Sequence, residues 1–166
     1  EEDGGLLIED GVIAAIGDYQ TVKADAPDGA QEIDHRPHLI LPGFIDTHIH
    51  FPQMQVIGSY AAKLLEWLNT YTFPEEMRFA DPAYAAEVAA RYLDLTLANG
   101  TTSVCSYATI HPASVDALMA EAKARGQRIW TGKTCMDRNA PDGLRDTAHS
   151  AHDDSAALLA KWHGVD

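Results

Sequence analysis

The sequence predicts an α/β fold in which a small β unit precedes a parallel sheet whose strands alternate with helices. Three observations predict it. Two short apolar runs flank Asp10-Gly11 near the start, the pattern of a tight hairpin. A second apolar run, Leu39-Ile40-Leu41-Pro42-Gly43-Phe44-Ile45, leads into Asp46-Thr47-His48-Ile49-His50. Beyond it, strand-like and helix-like segments alternate, the order expected of right-handed β-α-β crossovers.

Each element follows from local chemistry. Leu6-Leu7-Ile8 and Val12 to Ile16 are of strand length, and Asp-Gly between them supplies the positive φ that the turn needs. Lys23 to Ala30 is polar with Pro and Gly and is expected to be a loop. Gln31-Glu32-Ile33 is expected to add a short strand. The apolar part of Leu39 to His50 is expected to be buried on both faces, as parallel strands are. Pro42-Gly43 interrupts it and marks the entry to a new domain. Phe51 to Ala80 is expected to be a long irregular stretch. Within it Tyr60 to Thr70 is expected to be helical, with Leu64, Leu65 and Leu68 on one face.

Asp81-Pro82 is a helix start, because Asp caps free N–H groups and Pro suits the first helical position. Asn99-Gly100 is its stop. Thr101 to Ala108 reads as a second strand, and Ser114 to Arg125 as a helix closed by Gly126. Arg128 to Met136 reads as a third strand, and Ser150 to His163 as a last helix. The β-α order is that of a (β/α)8 barrel, but such a barrel uses about 250 residues. Three strands of an expected eight are recognisable. The chain also opens on Glu1-Glu2-Asp3 without a Met, and it is expected to be part of a longer protein.

Composition narrows the partners. The chain has 12 Lys+Arg against 25 Asp+Glu, a net charge of −13. Phosphate backbones are held by clustered Lys and Arg, so neither nucleic acid nor an anionic membrane is an expected partner. No apolar run reaches transmembrane length. The two cysteines, Cys105 and Cys135, form no CxxC pair. They suit a reducing cytoplasm and are expected to be buried, inert thiols in strands.

The sharpest chemical signal is Asp46-Thr47-His48-Ile49-His50. Side chains alternate along a strand, so His48 and His50 share a face. Two imidazoles one strand repeat apart can reach a single ion, and zinc favours such nitrogen ligands. They close an apolar strand, where a barrel places its catalytic groups. A bare His-x-His is common, and two polar residues at a strand end would look the same. The preceding Leu-Pro-Gly-Phe-Ile-Asp makes the whole string much rarer.

That string, Leu41 to His50, resembles the first barrel strand of the metal-dependent amidohydrolase superfamily. Leu7 to Gly17 looks like the hairpin of that superfamily's N-terminal β-sandwich. The fold class is then the first part of a (β/α)8 barrel preceded by a partial β-sandwich segment, with domains at 1–40 and 41–166. Longer strings are similar to the guanine deaminase family. They are His48-Ile49-His50-Phe51-Pro52-Gln53, Leu64-Leu65-Glu66-Trp67-Leu68, Tyr71-Thr72-Phe73-Pro74-Glu75, Ala108-Thr109-Ile110-His111 and Gly132 to Asn139.

The resemblance implies one zinc ion held by His48 and His50, and a Gln53 that hydrogen-bonds the purine. A Gln amide offers a base edge both a donor and an acceptor. It further implies hydrolysis of guanine to xanthine and ammonia by a cytoplasmic homodimer. The remaining ligands (two His and one Asp), a proton-shuttling Glu and a purine-binding Arg are expected beyond Asp166. No catalytic acid or base is therefore expected within the chain, and residues 1–166 alone are expected to be inactive.

Other residues allow a structural and a chemical role. Asp46 could orient a ligand histidine or stabilise the strand end. Trp67, Tyr71 and Phe73 could cover the purine or fill a core. His111 is expected to be a surface or supporting residue, and His149, His152 and His163 a solvated surface. Two other functions fit the first-strand motif: a triazine or pterin deaminase or dechlorinase of the same superfamily, and a truncated non-catalytic domain. The zinc deaminases with HxE and PCxxC are excluded, since those motifs are absent.

Overall fold

The computed structural model describes residues 2–165. The chain divides into two compact units, 1–41 and 42–166. In the first, β1 (Gly4–Glu9) and β2 (Val12–Asp18) pair antiparallel. Asp10 and Gly11 both have positive φ, 51° and 78°, as a two-residue hairpin turn requires. Helix α1 (Tyr19–Asp25) follows directly, its first N–H groups accepted by the Asp18 carboxylate. Lys23 to Asp25 are thus helical rather than loop, because the cap at Asp18 starts a helix that their polarity does not prevent. Gln31-Glu32-Ile33 form no strand. Their side chains are exposed, with Glu32 engaged by Tyr19 and Lys23.

The second unit is built on a parallel sheet ordered β3-β4-β5: β3 (Phe44–His50), β4 (Thr101–Tyr107) and β5 (Arg128–Gly132). The backbone of β3 enters the sheet tightly against its neighbour. A Cβ on Gly43 would lie 2.0 Å from Thr102 Oγ1, so only glycine fits there. Helix α4 (Pro82–Ala98) joins β3 to β4, capped by the Asp81 carboxylate and ended at Gly100, φ 81°. Helix α5 (Pro112–Arg125) joins β4 to β5 and ends in left-handed Gly126. Helix α6 (Ala148–Trp162) starts at a capping box of Thr147 and Ser150.

The helices bury one face of the sheet. Val88, Tyr92 and Leu93 of α4, Leu118 of α5 and Leu158 of α6 pack with Val104 of β4 and the rings of Phe51 and Phe79. Each such large apolar side chain contributes about 1.5–3 kcal/mol by leaving water. The other face is bare among the described residues. On that face Ile45 of β3 and Trp130 of β5 are 69% and 54% exposed; Leu39, Ile40 and Leu41, ahead of the strand, and Phe44 at its start are exposed as well. The expected two-faced burial of this run is therefore not met. Among the described residues strand β3 has one hydrogen-bonded neighbour, and the helices pack on the Val104 side of the sheet. Cys105, on the bare side of β4, and Cys135, beyond β5, are free and exposed rather than buried.

Between β3 and α4 the chain is more ordered than its sequence suggests. A 3-10 turn (Phe51–Val56) leads to α2 (Leu64–Trp67), a π turn (Leu68–Thr72), α3 (Phe73–Met77) and a second 3-10 turn (Arg78–Ala80). Helix thus begins later than Tyr60. Leu64 and Leu65 are exposed rather than forming a buried face. Strand β5 ends at Gly132, four residues short of Met136. There the chain is drawn out of the sheet: Lys133 turns inward to Asp146, and the Thr134 N–H donates to Thr109 O.

Candidate metal and substrate site

His48 and His50 lie at the carboxyl end of β3, with ring centroids 5.3 Å apart. The alternation of the strand thus brings the two imidazoles together. A bulge between Asp46 and Ile49 interrupts the pairing with β4, and the Asp46 carboxylate accepts the backbone N–H of His48 at 3.0 Å. Asp46 therefore holds the bulged backbone under His48. Burial, and then the neighbouring His48, lowers the pKa of His50, favouring the neutral imidazole that a metal ion binds.

Tyr107, the last residue of β4, completes this ring cluster, lying 4.6 Å from His50 and 5.1 Å from His48. Immediately after His50 the chain is anchored by Phe51, fully buried against Phe79 and Tyr92. Its N–H donates to Ser106 Oγ at 3.3 Å. That anchor directs the following turn and places Gln53 beside the histidines.

His48, His50, Gln53, Met54, Trp67 and Tyr92 share the lining of one cavity of about 520 Å³. Trp67 is held there by its indole N–H, which donates to Ser59 O at 3.1 Å. Tyr71 and Phe73 do not line it. The Gln53 amide nitrogen donates to Glu76 at 3.5 Å. Burial raises the pKa of Glu76, opposed by that hydrogen bond.

His111 caps α5 through its backbone, and its Nε2 is buried without a partner among the described residues. Burial, then Lys133, lowers its pKa. His149, His152 and His163 are exposed. Among the described residues no group of three His, Cys, Asp or Glu converges as a metal site. The histidine pair fits zinc as part of a ligand set, since a catalytic zinc takes at least three protein ligands. Tyr107 and Glu76 are the site residues that sequence reasoning misses. Matching the ends of adjacent parallel strands would have pointed to the first; no local signal marks the second.

Residues 39–164 match the amidohydrolase family, and the chain belongs to it. Residues 4–28 match the imidazolonepropionase-like composite domain of bacteria. The chain is 47% identical over 162 residues to the guanine deaminase of Escherichia coli K12, an alignment covering 98% of this chain and 37% of that protein. It superposes on the E. coli guanine deaminase structure with a TM-score of 0.92 and 46% identity, covering 96% of this chain and 37% of that one. A guanine deaminase from C. acetobutylicum with guanine bound in its active site superposes with a TM-score of 0.84 and 33% identity, covering 97% and 38%. The chain thus spans a little over a third of the length of the relatives it matches.

Proposed function

We propose that these residues form the amino-terminal part of a zinc-dependent guanine deaminase, which hydrolyses guanine to xanthine and ammonia. On this reading, residues 1–40 belong to a β-sandwich and residues 41–166 are the first three units of a (β/α)8 barrel. The observation that carries the proposal is the shared cavity. It is lined by the His48–His50 pair and by Gln53, in a chain nearly half identical to a guanine deaminase.

The roles follow from chemistry. His48 and His50 donate imidazole nitrogens to the metal. Bound zinc supplies a Lewis acid that lowers the pKa of its water toward about 7. Gln53 binds the purine by its amide edge, and Trp67 walls the cavity. Asp46, through the His48 N–H, and Tyr107, through ring contact, hold the imidazoles in place.

The same reading gives a small-molecule substrate and a cytoplasmic homodimer. No helix among the described residues is long and apolar enough to cross a membrane, and the charge of −13 disfavours polyanions. The two-histidine ligand set and the bare sheet face support the expectation that residues 1–166 alone do not turn over guanine.

The test is His48→Ala and His50→Ala in the full-length protein carrying these residues. Each variant should lose zinc and guanine deamination together. Full zinc occupancy in both would overturn the ligand assignment. A triazine or pterin substrate turned over in preference to guanine would overturn the substrate.

A further inference from the structure

We propose that Glu76 is a positioning residue for Gln53: its buried carboxylate accepts from the Gln53 amide and so fixes which end of that amide faces the substrate. The proposal rests on the reading of Gln53 as the purine-binding residue.

Two adjacent acids of α3, Glu75 and Glu76, are 8% and 6% exposed. Glu75 is matched. Arg78 donates to it at 2.9 Å, and the Tyr84 hydroxyl donates to its other oxygen. Glu76 has no cation among the described residues, and its side chain is engaged by Gln53 Nε2. A buried acid without a counter-charge is costly to the fold, so stability does not account for it. Its consequence is at Gln53.

The two ends of a glutamine amide are nearly equal in shape and opposite in chemistry. A carboxylate only accepts, so it selects the nitrogen end. One N–H is then committed to Glu76. The second N–H and Oε1 remain, a donor beside an acceptor. That edge complements a planar heterocycle presenting an adjacent acceptor and donor, as the ring amidine and lactam edges of guanine do. Gln53 lines the cavity while Glu76 does not. Glu76 therefore acts from behind the residue that touches substrate.

The experiment compares Glu76→Gln, Gln53→Ala and the double variant in the full-length protein. Guanine kinetics, zinc content and Tm are measured for each. Glu76→Gln keeps the shape but both donates and accepts, so residue 53 loses its fixed orientation. KM for guanine should rise roughly tenfold, with a smaller change in kcat, unchanged zinc and a Tm at or above wild type. In the Gln53→Ala background the same substitution should add nothing.

If Glu76→Gln lowers Tm, Glu76→Leu, which removes the acceptor altogether, takes its place with the same expectation. Wild-type kinetics at position 76, or an equal effect in the Gln53→Ala background, overturns the role of Glu76. Wild-type kinetics in Gln53→Ala overturns instead the reading of Gln53 beneath it.

Discussion

The imidazole of His50 lies stacked on the ring of Tyr107, with centroids 4.6 Å apart and planes within 15° of parallel. The two residues are register partners on adjacent parallel strands. The orientation of one proposed metal ligand is therefore set by the neighbouring strand as well as by its own.

Replacing Tyr107 by Leu should weaken zinc binding in the full-length protein. A stacked aromatic pair is worth about 0.5–1.5 kcal/mol beyond its buried area, which corresponds to roughly a twofold to tenfold loss of affinity. Tyr107→Phe should retain most of it. Competition with a chelator of known affinity measures both, independently of turnover.

Gln53→Ala should leave zinc in place and reduce kcat/KM for guanine. Leaving a polar edge unpaired costs on the order of 1–3 kcal/mol, so the loss should be roughly tenfold to hundredfold. Metal analysis beside steady-state kinetics separates this from a loss of the metal site.

Below β5 the fold contains a buried ion pair. Lys133 Nζ meets Asp146 Oδ2 at 2.7 Å, the side chains being 0% and 7% exposed. Asp146→Ala would strand the ammonium and should destabilise the protein by about 3–5 kcal/mol. The double replacement Lys133→Met with Asp146→Leu should cost less than Asp146→Ala alone, since no uncompensated charge remains. Urea denaturation of the three variants checks the order.

The same pair has a pH signature. Burial acts to raise the Asp146 carboxyl. The hydrogen bonds from Lys133 and the Met136 N–H outweigh it and hold the group below its ordinary range. A carboxyl whose folded pKa is depressed stabilises the fold above its unfolded value, about 3.9. That contribution is lost as the pH falls through the folded value. The Tm difference between wild type and Asp146→Asn should accordingly be wide at neutral pH and narrow as the pH is taken below about 4.

What could be read from sequence divides by the range of the interaction. The hairpin at Asp10-Gly11 and the bounds of α4 at Asp81 and Gly100 were legible because turn and cap chemistry is local. The histidine pair was legible because strand alternation is local too. Misread segments depended on distant partners. Met136 reads as strand by its neighbours, but its N–H donates to the Asp146 carboxylate. Cys105 reads as interior by its residue type, but among the described residues it lies exposed on the sheet face that no helix covers. The link from Gln53 to Glu76 crosses 23 residues of short helical turns, and nothing in either residue announces the other.

The π turn Leu68–Thr72 sets how that link responds to chain length. A π turn holds one residue more than the α spiral around it, and each residue of an α-helix advances the chain by about 100°. Deleting a single residue between Trp67 and Phe73 would relax the turn to ordinary helix and leave Glu76 in phase behind Gln53, with Trp67 still on the cavity wall. A second deletion would find no surplus residue to consume. It would turn everything after it by about 100° and swing Glu76 off the back of Gln53. The phase of this short stretch, more than the identity of any one side chain within it, couples the wall of the pocket to the residue behind its polar edge.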